Sequence, residues 1–405
     1  FWWRATAASL ASLLATCQYS AADQSTYLSW YRHFIVPALG PRPVAGVKPK
    51  FQPCPTFDGS ACELSVNWRE RGSGRTVRFT IEATGHEAGT QRDPFNQQET
   101  LRLLRGMASG MPDTDMNLGR FEHLVRCFFL SNEAAAALLP QLASDTPLSQ
   151  AWVAFDLVEG KVLAKVYFMP ILKCISTGIS TNQLVYDAVR TCNDRYGGYD
   201  AAISVFDSYS RSFAVPSTRG DPPRIEMLAI DCIDSPESRI KMYLRTSVTS
   251  LARAKDAYTL GGRLSGDEVE HGLQALAELW PILFRLTVDD DIENAQVLPA
   301  GSYCGFAVEM KPGRPEPEMK MHVPVRKIRG TDAQLCSSLS TWFRRRGHRE
   351  FAASYRSSLE EAFPSHDLDS TSGTHTFVSF AYTRKTGVYM TMYYSTKIYG
   401  THGKD

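Results

Sequence analysis

The sequence predicts an α+β fold centred on a closed ten-stranded antiparallel barrel, with a polar, aromatic lumen and an outer ring of helices. Three observations predict it. Five segments alternate apolar and polar residues, break at a turn, and alternate again, as an antiparallel hairpin with one buried face does. Stretches of helical character separate these segments. A short pattern also recurs at near-constant spacing: Lys165-Val166-Tyr167, Lys241-Met242-Tyr243 and Lys320-Met321-His322. Residues i and i+2 share one face of a strand, so each copy sets a cation beside a ring. Regular recurrence of that kind marks a repeated structural unit. Ten strands in one sheet tend to curl, and closure removes the exposed edges.

The elements follow in order. Residues 5–40 read as two helices ending at Leu39-Gly40-Pro41-Arg42-Pro43, where Gly and Pro break the periodicity. Residues 62–68 alternate as a strand, 70–75 supply Gly72 and Gly74 for a turn, and 76–83 return. Helical character runs from Asn96 to Leu142. Residues 152–170 read as strand, Glu-Gly turn and strand, and 181–192 as a helix. A hairpin at 225–246 precedes a helix that ends near Leu286. The hairpin at 303–325 has a Pro-rich turn, residues 331–363 are helical, and 374–395 form the last hairpin around Lys385-Thr386-Gly387.

Length and charge narrow the function. The 405 residues are expected to form a single domain, 1–405. A formal net charge of +1 gives no polyelectrolyte signal, so neither nucleic acid nor an anionic membrane is an expected partner. No stretch reaches the roughly 18 apolar residues needed to span a bilayer. The apolar start around Leu10–Leu14 is expected to be an amphipathic helix. Nine scattered cysteines without a C-x-x-C pair predict free thiols and a cytoplasmic location. A monomer or homodimer is expected.

Read together, LGPRP, ELSVNW, VRFTIEATG, AFDL with KVYFMP, DCID with RIKMYLRT, TLGGR, PGRPEPEMKMHVPV, and VSFAY with YMTMYY resemble the fungal dimethylallyltryptophan synthase family of aromatic prenyltransferases. These stretches run from the first helix to the last hairpin. The resemblance implies the ten-stranded prenyltransferase (ABBA-type) barrel. It also implies transfer of a dimethylallyl group from dimethylallyl diphosphate to an electron-rich aromatic acceptor in secondary metabolism, with no metal or other cofactor required. On the matching positions it implies that Arg78, Lys165, Arg239, Lys241 and Lys320 bind the donor diphosphate. Tyr167, Tyr243 and Tyr393, with His322 in the third copy of the pattern, would shield the prenyl cation, and Glu63 would be the catalytic carboxylate at the acceptor. Trp152, Gly305, Arg384 and Tyr389 are further pocket candidates.

The chemistry of these residue types agrees. Lys and Arg stabilise a departing diphosphate through charge-assisted hydrogen bonds. Aromatic faces stabilise an allylic cation by about 0.5–2 kcal/mol per contact, and a closed wall of rings excludes water. Glu63 alternates with Leu64, so it can face the lumen.

Two positions depart from the family pattern. His322 stands where Tyr is more usual, and a neutral imidazole faces a cation where a charged one repels it. Trp152 stands where tryptophan-specific members carry a Lys that takes the ring proton, which favours a phenolic or polyketide-derived acceptor over an indole or tryptophan. Gly305 leaves space in its strand, which a geranyl donor would need.

Two other readings predict different chemistry. Asp289-Asp290-Asp291-Ile292-Glu293 matches a D-D-x-x-E motif of Mg²⁺-dependent isoprenoid synthases, but those enzymes are all-helical and need a second acidic motif. A solvated acidic turn, and no metal site, is the expectation. A non-catalytic ligand-carrying barrel would not need so many internal cations.

Overall fold

The computed structural model describes residues 1–44, 47–72, 74–111, 115–192, 196–213, 222–299 and 301–399. Residue 73, within the first hairpin turn, lies outside them. Ten antiparallel strands close on themselves: β1 (Cys62–Arg69), β2 (Thr76–Ile81), β3 (Ala151–Val158), β4 (Lys161–Phe168), β5 (Arg224–Asp231), β6 (Ile240–Thr246), β7 (Cys304–Met310), β8 (Glu318–Val323), β9 (His375–Thr383) and β10 (Gly387–Ser395). Each strand pairs with its neighbours in sequence, and β10 pairs with β1. The expected five hairpins and the expected barrel are both present.

Alternation decides which side each residue takes. On β1, Leu64, Val66 and Trp68 face outward into the main core, while Glu63, Ser65 and Asn67 face the lumen. On β4, Val162, Ala164, Val166 and Phe168 face out, opposite Lys165 and Tyr167. The outer face is covered by aromatic contacts from the helices. Trp30 meets Phe155 edge-on at 5.1 Å, Tyr31 meets Phe79 at 5.2 Å, and Phe128 stacks on Phe168 at 5.4 Å. Burying a side chain of this size contributes about 1.5–3 kcal/mol. The core is therefore an annulus between barrel wall and helices, which leaves the lumen free for polar groups.

Turn chemistry fixes the β3–β4 hairpin. Val158 pairs with Lys161, and the two residues between them, Glu159 and Gly160, both have positive φ (50° and 75°). That is the type I′ geometry of a two-residue hairpin loop, which glycine adopts without strain.

The helical stretches are more divided than the sequence suggested. Asn96–Leu142 becomes three helices, Gln98–Gly110, Gly119–Phe128 and Asn132–Leu138. The 331–363 stretch splits into Asp332–Arg345 and Arg349–Ala362 at Gly347, whose φ is 86°. Helices Ile171–Thr177, Asp200–Arg211 and Leu251–Tyr258 were not foreseen. Helices this short depend on tertiary packing more than on propensity. The N-terminal amphipathic helix is present as Trp2–Thr16. No helix among the described residues is long and apolar enough to cross a membrane.

One irregularity bears on function. In the β9–β10 ladder, Met392 pairs with Val378 but Tyr394 pairs with His375, so Thr376 and Phe377 together oppose Tyr393. This β-bulge on β9 shifts the alternation by one residue. Thr376 consequently turns into the lumen and His375 turns out.

Candidate active site

The lumen has two ends of different character. One is a charged ring in which cations and carboxylates alternate strand by strand. Arg78 lies on β2, Asp156 on β3, Lys165 on β4, Asp231 on β5, Lys241 on β6, Glu309 on β7 and Lys320 on β8. The register sets Arg78 beside Asp156, Lys165 beside Asp231, and Lys241 beside Glu309. Arg239, just before β6, joins the ring. Arg78 Nε is 3.2 Å from Asp156 Oδ1, and the Lys165 ammonium contacts the other oxygen of Asp156. Arg239 Nε donates to Asp231 Oδ2 at 2.9 Å, and its Nη1 donates to Glu309 Oε2 at 3.2 Å. Lys241 Nζ stands 3.6 Å from Asp231 Oδ1.

Lys320 differs from the rest. Among the described residues it has no carboxylate within ion-pair distance, and it lies 4.6 Å from the centre of the Tyr389 ring. Burial pushes its ammonium down to about 8. The Tyr389 hydroxyl accepts from Arg78 Nη2 at 2.7 Å. Burial opposes ionisation of this phenol, but Arg78 and Lys320 outweigh it and bring it down to about 7. These side chains line a cavity of about 500 Å³.

Burial would raise Asp156 and Glu309. The cations outweigh it, Arg78 and Lys165 at Asp156 and Lys241 and Arg239 at Glu309, and each carboxyl falls to about 2. Lys241 and Arg239 likewise hold Asp231 well below the usual carboxylate range, so all three acids of the ring are ionised. They were not among the residues expected from the sequence. A signal existed: counting back from the Glu159-Gly160 turn puts Asp156 diagonally across from Lys165.

Above the charges lies a belt of rings. Trp152 is 6.5 Å from Tyr167, Tyr167 is 5.4 Å from Tyr243, Tyr243 is 5.5 Å from His322, and His322 is 5.9 Å from Tyr393. The three Lys-x-ring copies thus fall on alternate strands and contribute jointly to the ring and the belt. Burial, with Lys320 and Lys241 nearby, holds the His322 imidazole down to about 3, so it is neutral. A neutral ring beside the tyrosines can face a cation.

The second end holds Glu63. It is 8% exposed, and its Oε1 accepts from Thr376 Oγ1 at 2.7 Å, the contact made possible by the bulge. Burial raises its carboxyl to about 8, eased by that hydrogen bond. A second buried acid, Glu82, continues the inward face of β2. Its Oε2 accepts from the Cys54 amide and the Ser149 hydroxyl. It too went unforeseen.

One candidate sits differently from expectation. Arg384 is exposed in the β9–β10 turn, its amide donating to Glu268, and it does not line the cavity. Lys385, exposed in the same turn, lies at the rim of the cavity. Gly305 faces His322 across the β7–β8 ladder, and a Cβ there would lie 3.4 Å from the His322 Cβ. The acidic turn at 289–293 is on the surface, where Val288 is 98% exposed. Asp290 is bonded to Thr287, Asp291 to Asn294, and Glu293 to Lys255.

Comparison with known proteins agrees with this geometry. Residues 1–358 match the family model described as tryptophan dimethylallyltransferase. A prenyltransferase of Pestalotiopsis fici, iacE, is 38% identical over 98% of this chain and 91% of its own length. The 7-dimethylallyltryptophan synthase hasE of Aspergillus fumigatus is 36% identical over 99% of this chain and 86% of its own. Among solved structures, AnaPT from Neosartorya fischeri superposes with a TM-score of 0.85 at 26% identity, covering 96% of this chain and 92% of that one. NotF in complex with brevianamide F and DMSPP gives 0.82 at 26% identity, over 98% and 94%. A lumen of cations under a belt of rings, in a chain matched almost end to end by such relatives, makes this protein an aromatic prenyltransferase of the tryptophan dimethylallyltransferase family.

Proposed function

We propose that this enzyme transfers the dimethylallyl group of dimethylallyl diphosphate to a ring carbon of an indole-type acceptor. The observation that carries the reading is the stacking of three layers in one lumen: the charged ring, the aromatic belt and Glu63. The relatives' names supply the acceptor class, since one is a 7-dimethylallyltryptophan synthase.

The steps follow from the layers. The diphosphate lies among Arg78, Lys165, Arg239, Lys241 and Lys320. The allylic C–O bond breaks, and its electron pair leaves on the diphosphate oxygen, where the cations stabilise it. Tyr167, Tyr243, Tyr393 and neutral His322 face the allylic cation and keep water away. The acceptor ring supplies the electron pair for the new C–C bond and then loses its ring proton to an oxygen of the departed diphosphate. Glu63 accepts a hydrogen bond from the acceptor N–H, which enriches the ring in electrons as it attacks. The cations supply the charge that a divalent ion supplies elsewhere, so turnover in EDTA is the expected result. The all-helical isoprenoid-synthase reading does not survive the barrel.

A second acceptor class rests on Trp152. An apolar ring at that position leaves no amine to take the indole ring proton, whereas a phenol releases its proton readily. Incubation with dimethylallyl diphosphate, EDTA and either tryptophan, a cyclic dipeptide, a naphthol or a xanthone separates the two by mass spectrometry. Prenylated indole supports the first reading, and prenylation of the phenols alone replaces it with the second. No product without added Mg²⁺ would overturn the metal-independent mechanism.

A further inference from the structure

The ring contains its own competitor for the diphosphate. Asp156 is shared by Arg78 and Lys165, Asp231 faces Arg239 and Lys241, and Glu309 takes the other end of Arg239. Three ionised carboxylates thus oppose five cations, an excess of two positive charges that Tyr389, brought down to about 7 by Arg78 and Lys320, reduces as it ionises. Lys165, Lys241, Lys320, Asp156 and Asp231 are buried, Arg78 and Glu309 are nearly so, and the Arg239 side chain is 31% exposed. A buried cation without a counter-charge is costly, so the acids stabilise the empty protein. A bound diphosphate needs the same N–H donors and brings its own negative charge. It therefore makes the acids partly redundant. Deleting one acid should penalise the empty protein more than the loaded one, which by linkage tightens diphosphate binding.

The products give this competition a purpose. Inorganic diphosphate has one more ionisable oxygen than the prenyl ester, so a purely cationic cage would hold the product more tightly than the substrate. We infer that Asp156, Asp231 and Glu309 are positioning residues that act through their neighbouring cations to release inorganic diphosphate after each turnover. The proposal rests on reading this ring as the donor-diphosphate site.

Glu309→Gln is the sharpest test, because Glu309 holds one end of Arg239 while Asp231 still holds another. Calorimetric titration with inorganic diphosphate should show about tenfold tighter binding than wild type, within the range of couplings inside one charge network. The empty variant should melt lower and recover more of its melting temperature on adding diphosphate. Turnover should fall while a first-turnover burst of prenylated product appears in rapid quench. Glu309→Asp keeps the charge and should bind diphosphate as wild type does. Asp156→Asn provides the same reading if Glu309→Gln fails to fold. Unchanged or weaker diphosphate binding in a folded neutral variant overturns the release role. Failure of the site assignment looks different: wild type would then bind no diphosphate, and Lys320→Ala would change nothing.

Discussion

Two buried polar networks stand on opposite sides of the same barrel wall. Inside is the charged ring. Outside, behind β9 and β10, Asp332 accepts from the amides of Thr374 (2.9 Å) and His375 (3.0 Å) and pairs with His375 Nδ1 at 2.8 Å. His375 Nε2 bonds the Tyr355 hydroxyl at 2.9 Å, which meets that of Tyr394 at 3.2 Å. An acid, a histidine and two tyrosines in a row could pass for catalytic machinery. The difference lies in what remains unmet. The outer chain is closed, since each group in it meets a protein partner. The inner ring holds more cations than carboxylates, and among the described residues Lys320 has no carboxylate within ion-pair distance. Burial of ionisable groups therefore does not locate a site; uncompensated charge facing a cavity does.

That contrast can be broken by mutation. Lys241→Ala should have the largest effect, lowering prenyl transfer by about 10²–10³-fold, as loss of one anion-stabilising donor does. Steady-state kinetics checks it, with circular dichroism confirming the fold. Asp332→Ala should do the reverse, costing about 3–5 kcal/mol in chemical denaturation by leaving the outer network without its acid, with the donor affinity of the folded fraction unchanged. If Asp332→Ala instead weakened donor binding, the two networks would not be separable.

Glu63 sharpens the comparison from the other end of the lumen. Its carboxyl is neutral below about 8 and ionised above it. If the ionised form accepts the acceptor's hydrogen bond, kcat/KM should rise with pH through about 8 and level off above. Glu63→Gln should lose roughly 10²-fold and flatten that limb. The same shift acts on stability with the opposite sign. The folded protein keeps a proton that the unfolded chain releases near its ordinary value, so this residue's contribution to stability falls as pH rises toward 8. Glu63→Gln should remove that fall in a series of melting curves. Thr376→Val is the smallest change. Losing the hydrogen bond that eases ionisation should move the kinetic limb upward by up to about one pH unit.

The barrel was legible because each strand pair repeats the same alternation and because Lys165, Lys241 and Lys320 mark three inward faces unambiguously. The acids were harder to see. Asp156, Asp231 and Glu309 are isolated charges on partner strands, and each matters only through register. Arg384 lies in the exposed β9–β10 turn, where strand alternation no longer tells which side a residue takes. The bulge was not legible at all. Strict alternation from Val378 and Phe380 places Thr376 outside and His375 inside, which is the reverse of what the fold does.

That bulge also binds the two sides together. Consecutive residues, His375 and Thr376, reach opposite faces of a wall one strand thick, and each is held by a partner on its own side. A one-residue slip of β9 would break both anchors at once. In an open sheet such a slip could run out at a free edge, but a closed barrel has none, so it would have to be absorbed by every other strand pairing. The outer histidine thus works as a detent for the inner carboxylate: the Glu63 end of the lumen stays aligned with the charged ring because the circumference itself cannot be retuned.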